Sequence, residues 1–485
     1  MSAAGIKKEN DKQTLFVILV CTIAGLGGFL FGFDSSVIAD TKDQITTQFF
    51  LSDFQWSLIV SISLLGSIVG IPISGFFAAD KISRKNLLMI AALGFAVGSI
   101  VCAEATQPWI LLLGRFFIGI CIGIASYAAP LFISEVAPPA MRGGMILING
   151  VAITFGQAFS FLTGYFLHDS STSSWRLILW VGVVPAVLLL LGMQFVPHSP
   201  RWMLATHGIK KARTILLKIR GEADVETELR DIQFSISHMQ YRSTFPHLLS
   251  KPFIYVLIIG TVLGVFQQFS GISAIMYYGP VIFEELGFQP VKTAILATFL
   301  MGMVNCVFTI ITLLMVDKIG RRSLLLGGTL IAALSLIVAG ACYDLTWIGK
   351  KWLLLFFLST YVMGYCISLG SLFWVMIAEI YPLKIRGLAM SVASMVQWIA
   401  NFIVSISVLS IFHYLHEAKT FWLFGSVCLI AYLFIYYFIP ETSGVTLEKI
   451  EQNLLAGKKM RELGAAITAL DVTPGALAAE NPPSI

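Results

Sequence analysis

Charged residues are scarce in this sequence. They make up 12% of its 485 residues, whereas apolar residues make up 57%. Soluble proteins carry about 25% charged residues, so water could not solvate a fold of this composition. The scarcity argues against a water-soluble enzyme and against a nucleic-acid-binding domain, and it favours an integral membrane protein.

Cysteine and histidine are also few, with seven of each. The cysteines all fall within apolar runs, and their spacing matches neither metal ligands nor a disulfide framework, so we expect small buried side chains. The histidines are scattered over loops and the ends of apolar runs. We therefore expect no metal site, no organic cofactor and no enzymatic activity.

The sequence is rich in long apolar runs. A helix needs about 20 mostly apolar residues to cross a bilayer, whereas the strands of a spanning barrel alternate in polarity. The runs predict an all-α membrane protein with twelve transmembrane helices. They begin near Leu15, Leu58, Leu87, Trp109, Met145, Leu177, Phe253, Thr293, Leu324, Leu353, Leu388 and Phe421.

Lysine and arginine predict the orientation in the membrane. With a cytoplasmic N-terminus, most of them fall on the cytoplasmic side and only a few fall on the other. We expect both termini inside the cell, in a plasma membrane of the bacterial inner-membrane type. The exceptions are Lys42, Arg176, Lys292, Lys350, Lys351 and Lys419, with Arg115 inside a span.

Polar stretches divide the chain into five parts. Residues 1–14 are predicted to form a cytoplasmic N-terminal tail, and residues 15–197 a first bundle of six helices. Residues 198–251 are a cytoplasmic linker with short helices, and residues 252–440 a second bundle of six helices. Residues 441–485 are a cytoplasmic C-terminal tail.

The two predicted bundles repeat each other in sequence. Charged residues in the loops after the second and fourth spans recur, at nearly constant distance, after the eighth and tenth. Such duplicated units are typical of transporters, whose substrate site lies between the halves near the bilayer midplane. The charges of the repeat are Asp80, Arg84, Glu135 and Arg142 in the first half, and Asp317, Arg321, Arg322, Glu379 and Arg386 in the second.

Two opposite charges lie well inside predicted spans. Asp34 ends the first apolar run, and Arg115 lies in the fourth. A buried carboxyl on its own takes up a proton, whereas a nearby arginine keeps it ionised. If a conformational change separates the two, a proton binds, and if they meet again, it leaves. The alternative is a static ion pair that fixes how the helices pack.

Amide and aromatic side chains lie in the second half, within spans that lipid alone would not tolerate. Amides both donate and accept hydrogen bonds, and rings pack on apolar C–H faces, so this combination suits a sugar. The alternative is that these polar residues join helices to one another. The candidates are Gln267, Gln268, Asn305, Trp374, Gln397, Trp398 and Asn401.

Several motifs, in order along nearly the whole chain, resemble those of the sugar porter family of the major facilitator superfamily. They include Gly25–Asp34, Phe266–Gly271, Met276–Tyr278 and the segment from Leu447. The resemblance is closest to bacterial galactose–proton symporters. A motif around Ile148 in the fifth span is similar to that of proton–myo-inositol symporters.

The resemblance implies a major facilitator fold and roles for single residues. The residues that match Asp34 and Arg115 are the proton pair of the family, and uncoupled carriers lack the Asp. The residues that match the amides and tryptophans above line the substrate cavity. Tyr277 and Tyr278 match an extracellular gate, for which membrane-interface anchoring is the alternative. The charges of the repeat match a cytoplasmic salt-bridge network between the halves.

Four positions depart from the family pattern. Ser273 and Gly150 stand where hexose-carrying relatives usually have Asn and Gln, which removes two amides and enlarges the pocket. We expect Gln157 to supply the missing hydrogen bonds. Ser83 stands where Gly is usual, which puts the tight turn of the first loop in question. His198 replaces a usual Glu, which predicts a weaker cytoplasmic latch.

The resemblance implies import of a neutral monosaccharide or related polyol together with a proton, by alternating access. A hexose such as galactose or glucose, a pentose such as xylose, and myo-inositol all remain open. The alternative is an uncoupled facilitative uniporter; a polytopic membrane enzyme and a non-transporting sugar sensor are weaker interpretations. We expect the partners to be a small sugar or polyol and the lipid bilayer, with no nucleic acid, and the protein to be a monomer.

Overall fold

The computed structural model describes residues 3–78, 81–138, 141–169, 173–221, 225–238, 248–251, 253–343, 349–382, 385–443, 445 and 447–464. These residues form helices and their connections, with no β-strand among them. Asp80 and the tail beyond 464 lie outside the described residues, as do the side chains of Arg142 and Asp317.

The helices before the linker are long and apolar. They are α1 (Ala3–Val37), α2 (Lys42–Phe49), α3 (Asp53–Pro72), α4 (Arg84–Ala103), α5 (Pro108–Val136), α6 (Arg142–Leu167), α7 (Ser174–Val181) and α8 (Val183–Phe195). A 3₁₀ turn, Ala39–Thr41, joins α1 to α2, and a π-helical segment, Ile73–Ala78, extends α3. Ser52 begins α3 with a capping box, in which its hydroxyl and the Gln55 side chain satisfy each other's backbone N–H groups.

Short helices follow in the linker, and a second series of long helices follows them. The linker holds α9 (Pro200–His207), α10 (Ile209–Arg220) and α11 (Val225–His238). The second series is α12 (Phe253–Phe269), α13 (Ile272–Glu285), α14 (Val291–Ile319), α15 (Arg321–Tyr343), α16 (Lys350–Tyr365), α17 (Ser371–Ile380) and α18 (Arg386–Phe438), with α19 (Leu447–Leu455) in the tail.

Eleven segments of the described chain are long and apolar enough to cross a membrane. All twelve predicted apolar runs lie in these segments, because the runs that begin near Leu388 and Phe421 both belong to α18. This helix has 53 residues, and His416 interrupts it with φ 58° and ψ 168°. At 1.5 Å per residue the helix would measure about 80 Å, more than twice the thickness of a bilayer core.

Glycines bring helices α1 and α6 into backbone contact. A Cβ atom at Gly32 would overlap the carbonyl oxygen of Ile153, and one at Gly156 would overlap that of Phe29. Small residues permit such close approach in membrane helices, where packing rather than the hydrophobic effect drives association. The contact fixes α1, which carries Asp34, against the rest of the first half.

The two halves of the chain meet along two seams. Helix α6 packs against α14, and α3 packs against α18. Helix α13 also packs against the turn Ala39–Thr41. We call the end of the molecule that carries this turn the outer end, after the predicted orientation, and the opposite end the inner end.

Two helices of the second half are broken in mid-span. Gly271, with φ 94°, separates α12 from α13, and Ser368 is non-helical inside a π-helical segment, Cys366–Gly370, between α16 and α17. Irregular backbone at membrane depth is tolerated only where protein or a cavity satisfies its polar groups. Both breaks lie beside predicted site residues.

Candidate functional site

Asp34 and Arg115 form a buried ion pair between α1 and α5. Arg115 Nη1 lies 3.3 Å from Asp34 Oδ1. The Arg115 side chain is 2% exposed, and the Asp34 side chain is 4% exposed. Arg115 also donates to the Ile59 carbonyl at 2.8 Å and to Ser63 Oγ at 3.1 Å, both on α3. The guanidinium thus joins three helices and keeps partners of its own if Asp34 changes its charge. The sequence predicted the pair but not Ser63.

Gln157 and Asn305 meet across the seam between α6 and α14. Asn305 Nδ2 donates to Gln157 Oε1 at 3.1 Å, and Asn305 Oδ1 accepts from the Cys366 thiol at 3.0 Å. Both amides were predicted site residues, one from each half. The hydrogen bond joins a side chain of the first half to a side chain of the second half.

The amides of α12 support the two helix breaks. Gln267 Nε2 donates to the carbonyls of Leu369 and Gly370 at 3.1 and 3.2 Å, which the π-helical segment leaves free. Ser273 Oγ donates to Gln268 Oε1 at 2.8 Å across the break at Gly271. Part of the polarity of this cluster therefore holds its own backbone in place.

The polar cluster extends toward α1 through Tyr277, Asn401 and Trp398. Asn401 Nδ2 donates to the Tyr277 hydroxyl at 3.3 Å, and Tyr277 lies within electrostatic range of the Asp34–Arg115 pair. The Trp398 ring packs on Phe31 of α1 with their centroids 5.2 Å apart. The amide cluster and the buried ion pair are therefore neighbours.

Four amide oxygens in this region are buried without a hydrogen-bond partner among the described residues. They are Oδ1 of Asn149, Oε1 of Gln267, Oε1 of Gln397 and Oδ1 of Asn401. Buried polar atoms are nearly always paired, so these four oxygens can accept hydrogen bonds from donors that the described residues do not supply. Hydroxyl groups are such donors. The sequence did not single out Asn149, although it precedes Gly150 in the span-five motif.

Two predicted positions border open space. A Cβ atom at Gly150 would meet nothing within 4 Å, as expected of a pocket that lacks a side chain there. Trp374 is 44% exposed and packs edge-on against Phe373 with their centroids 5.0 Å apart. Trp374 thus lies outside the buried amide cluster.

Both predicted gate tyrosines are buried at the outer side of the cluster. Tyr278 donates from its hydroxyl to the Ser405 carbonyl of α18 at 2.9 Å. Its backbone is non-helical, with φ −124° and ψ 15°, and Pro280 follows two residues later. A helix that already carries a kink can bend further there, as a gate requires.

The charges at the inner end pair within each half. Arg84 Nε lies 3.4 Å from Glu135 Oε1 in the first half, and Arg321 Nη2 lies 3.2 Å from Glu379 Oε1 in the second. Arg386 Nε donates to the Tyr381 carbonyl at 3.2 Å, also within its own half. These three contacts lie within the halves, and the network between the halves stays a prediction.

The two halves begin their equivalent inner helices with different caps. In the second half, Glu441 accepts from the backbone N–H groups of Arg321 and Arg322 at 3.0 and 3.1 Å. Gly320 precedes them with φ 95°, a conformation that favours glycine. A carboxylate on the first N–H groups of a helix is a strong cap.

In the first half, Ser83 takes the place of both Gly320 and the carboxylate. Its backbone is extended, with φ −64°, and its hydroxyl accepts from the Asn86 N–H at 3.2 Å. Lys85 Nζ donates instead to the Val196 carbonyl at 2.8 Å. Burial, with the charges of Lys85 and His207, lowers the pKa of His198, so His198 is neutral at pH 7. The turn that Ser83 put in question therefore forms by a hydroxyl cap.

Membrane-length helices that enclose a buried ion pair and unpaired amides define a polytopic membrane protein with an internal polar site. A family model described as "Sugar (and other) transporter" matches residues 20–454. The galactose-proton symporter of Escherichia coli K12 is 35% identical over 469 residues, which cover 95% of this chain and 99% of that protein. The arabinose-proton symporter of Bacillus subtilis 168 is 33% identical and covers 90% of this chain and 95% of its own.

A solved structure is similar over the same extent. The inward open conformation of the xylose transporter XylE from E. coli superposes with a TM-score of 0.78 at 29% identity, over 90% of this chain and 99% of that one. The chain belongs to the sugar porter family of the major facilitator superfamily. It is a transporter and not an enzyme.

Proposed function

We propose that the protein imports a neutral monosaccharide or related polyol together with a proton. The observation that carries the proposal is the buried Asp34–Arg115 pair, which neighbours a cluster of unpaired amide oxygens. Its relatives are named as proton symporters of galactose, arabinose and xylose. Such symport requires a proton site and a site for hydroxyl groups near each other.

We propose twelve membrane spans arranged as two bundles of six. Helix α18 supplies two of them, divided at His416, because a helix of its length exceeds any bilayer. The repeat of charged residues supports the division into halves, and the seams α6–α14 and α3–α18 are the surfaces on which the halves would rock. The protein would then lie in a bacterial inner membrane with both termini in the cytoplasm. It would function as a monomer.

The proton step follows from the partners of Arg115. While Asp34 is ionised, Arg115 neutralises it at 3.3 Å. Movement of α1 relative to α5 would separate them, and the isolated carboxyl would take up a proton. Arg115 would remain satisfied by Ile59 and Ser63. Separation would therefore leave mainly Asp34 without a partner. Whether Asp34 is protonated would then depend on the conformation.

The described conformation is one that we assign as closed on the outer side. Tyr277 and Tyr278 are buried there, and α13 lies against the turn Ala39–Thr41. The described ion pairs of the inner end, Arg84–Glu135 and Arg321–Glu379, each lie within one half, and a Cβ atom at Gly150 would meet nothing within 4 Å. Substrate would reach the amides from the inner side in this state and leave by the same route.

Substrate identity depends on the space at Gly150 and Ser273. Ser273 holds Gln268, so one amide remains oriented even though the Asn of hexose carriers is absent. Gly150 leaves room for a larger ring or an added hydroxyl. A hexose, a pentose such as xylose and a cyclitol such as myo-inositol are the candidates, with Gln157 as the first-half hydrogen-bonding group.

Transport by the purified protein in proteoliposomes tests the proposal. We expect uptake of at least one of labelled glucose, galactose, xylose and myo-inositol, and accumulation above the external concentration only with an alkaline lumen. Equal final levels with and without the pH gradient would favour the uniporter. No uptake of any of the four would contradict sugar transport itself.

A further inference from the structure

A second carboxyl is buried in the first membrane segment, at the outer end. Asp40 lies in the turn Ala39–Thr41, six residues after Asp34 and within the apolar segment Gln13–Phe49. It is 2% exposed, and neither of its carboxyl oxygens has a hydrogen-bond partner among the described residues. The sequence pattern did not identify it, because Lys42 and Asp43 follow at once and suggest a solvated loop.

The space for this carboxyl is built into α6. Gly164 lies directly against the Asp40 carboxyl group, and a Cβ atom at Gly164 would overlap it. Helix α13 of the second half packs on the same turn. The turn that carries Asp40 therefore lies at a contact between the two halves, at the outer end.

The charged groups on the surrounding elements do not neutralise Asp40. Asp43 on α2 acts electrostatically on Asp40 and has the same sign, and Asp43 itself lies 3.6 Å from His168, which follows α6. Lys42 on α2 points to Asp53 at 3.9 Å. Arg176 on α7 donates to the Ala103 carbonyl at 2.7 Å.

Helix α13 has no lysine, arginine or histidine that could neutralise Asp40. Its carboxylates are Glu284 and Glu285, and its other titratable groups are Tyr277 and Tyr278. A buried carboxylate without a partner is strongly disfavoured relative to the protonated acid. The form of Asp40 that this contact accommodates is therefore the protonated acid.

We infer that Asp40 is a second proton-binding site, which holds a proton while the outer contact between the halves is closed and releases it to the outer solution when the contact opens. The inference rests on the proposed alternating access. The bound proton leaves on the side from which it came, so the site changes no transport stoichiometry. It makes closure of the outer side dependent on external pH.

The sign of this dependence follows from linkage. The closed form binds the Asp40 proton more tightly than the open form, in which water reaches the carboxyl. Acid therefore favours closure, and the closed population falls as the pH rises. Asp34 is also a titratable group that would respond to conformation, so the test removes it first.

Spin labels on the two halves can measure the closed population. The labels are placed at the outer end by Phe166→Cys on α6 and Tyr414→Cys on α18, both at exposed positions. The seven native cysteines are buried and leave the labels selective. Distances are compared for the Asp34→Asn variant and for the Asp34→Asn/Asp40→Asn variant, since asparagine fits the space beside Gly164 and cannot ionise.

We expect the closed-to-open ratio of the Asp34→Asn variant to fall by at least about tenfold between about pH 5 and pH 8. With Asp40→Asn added, we expect it to change by less than about twofold over that range. An equally steep fall in both variants, or no fall in either, would overturn the inference. A dependence that is lost with His168→Gln would assign it to the Asp43–His168 pair, and would overturn it too.

Sugar exchange in the same proteoliposomes separates this inference from the proposed function. If sugar exchange persists in the double variant, that variant is folded. The distances between the spin labels then test the role of Asp40. Absence of sugar exchange in the unaltered protein would contradict the proposed function, whereas the pH dependence of the distances would still test Asp40.

Discussion

At the scale of single residues, Arg115 is held more firmly than Asp34. The guanidinium has carbonyl and hydroxyl partners on α3 besides the carboxylate, whereas the described partners of the Asp34 carboxyl group are the side chains of Arg115 and Ser63. Removal of the acid thus leaves no unpaired buried cation. This asymmetry makes a neutral substitution at Asp34 an informative experiment.

We expect Asp34→Asn to abolish accumulation of sugar against a gradient and to retain exchange of labelled for unlabelled sugar. The reason is that asparagine imitates the protonated acid permanently, so that the carrier moves without releasing a proton. Uptake and exchange in proteoliposomes measure both activities. Asp53→Asn, at an exposed position on α3, is the matched control and should leave both unchanged. Accumulation that survives in Asp34→Asn would refute coupling through this residue.

Gln397 and Gln267 have the same side chain, but only Gln267 has described hydrogen bonds to the backbone of another helix. Gln267 donates to two freed carbonyls, while Oε1 of each is unpaired. We expect Gln397→Leu to weaken sugar binding by about tenfold, roughly 1–2 kcal/mol, without lowering the melting temperature. Gln267→Leu should weaken binding and also lower the melting temperature, because the carbonyls lose their donor. Calorimetric measurement of sugar binding and thermal unfolding of both variants test these expectations. Unaltered sugar binding by Gln397→Leu would show that Gln397 does not bind the sugar.

At the scale of helices, the internal repeat is kept in the places where helices begin but not in the groups that cap them. Helices α4 and α15 begin at equivalent places, one capped by the Ser83 hydroxyl and the other by the Glu441 carboxylate. The neutral His198 occupies the position that corresponds to Glu441. We infer that the two departures from the family pattern, at residues 83 and 198, compensate for each other.

This compensation predicts a non-additive pair of substitutions. Ser83→Ala alone should destabilise the protein by about 1 kcal/mol, because an N-cap hydroxyl is lost. In a His198→Glu background the loss should be smaller, since the new carboxylate can accept from the same N–H groups. Thermal unfolding of the four proteins of the cycle gives the coupling. Strict additivity would show that residue 198 does not reach the start of α4.

The same substitution bears on the cytoplasmic latch. We expect His198→Glu to shift the population toward the outward-facing state, because it restores an acidic group among the inner-end charges. Distances between labels at the inner ends of the two halves report that population. A population unchanged by the substitution would argue against a latch weakened by His198.

The sequence predicts the helices well and their interruptions poorly. Every apolar run lies in a helix because composition alone decides what lipid accepts. The breaks at Gly271 and Ser368 depend on which neighbouring amide reaches the freed carbonyls, a tertiary contact without a local pattern. The amide cluster itself was foreseen from residue type, whereas Asn149 and Asp40 were not, because their burial comes from partners distant in sequence.

At the scale of the whole molecule, contacts between halves differ at the two ends. Tyr277 and Tyr278 are buried at the outer side, whereas the described ion pairs at the inner end, Arg84–Glu135 and Arg321–Glu379, each lie within one half. Charge position along the chain could predict which end a residue occupies. It could not predict the partner, because the partner depends on the conformation in which the carrier rests.

The central claim is that sugar and proton cross together, and a pH-sensitive dye inside proteoliposomes tests it most directly. An inward sugar gradient, with no imposed pH gradient or voltage, should acidify the lumen as labelled sugar enters, and Asp34→Asn should abolish the acidification. Sugar entry without any change of luminal pH in the unaltered protein would contradict the account.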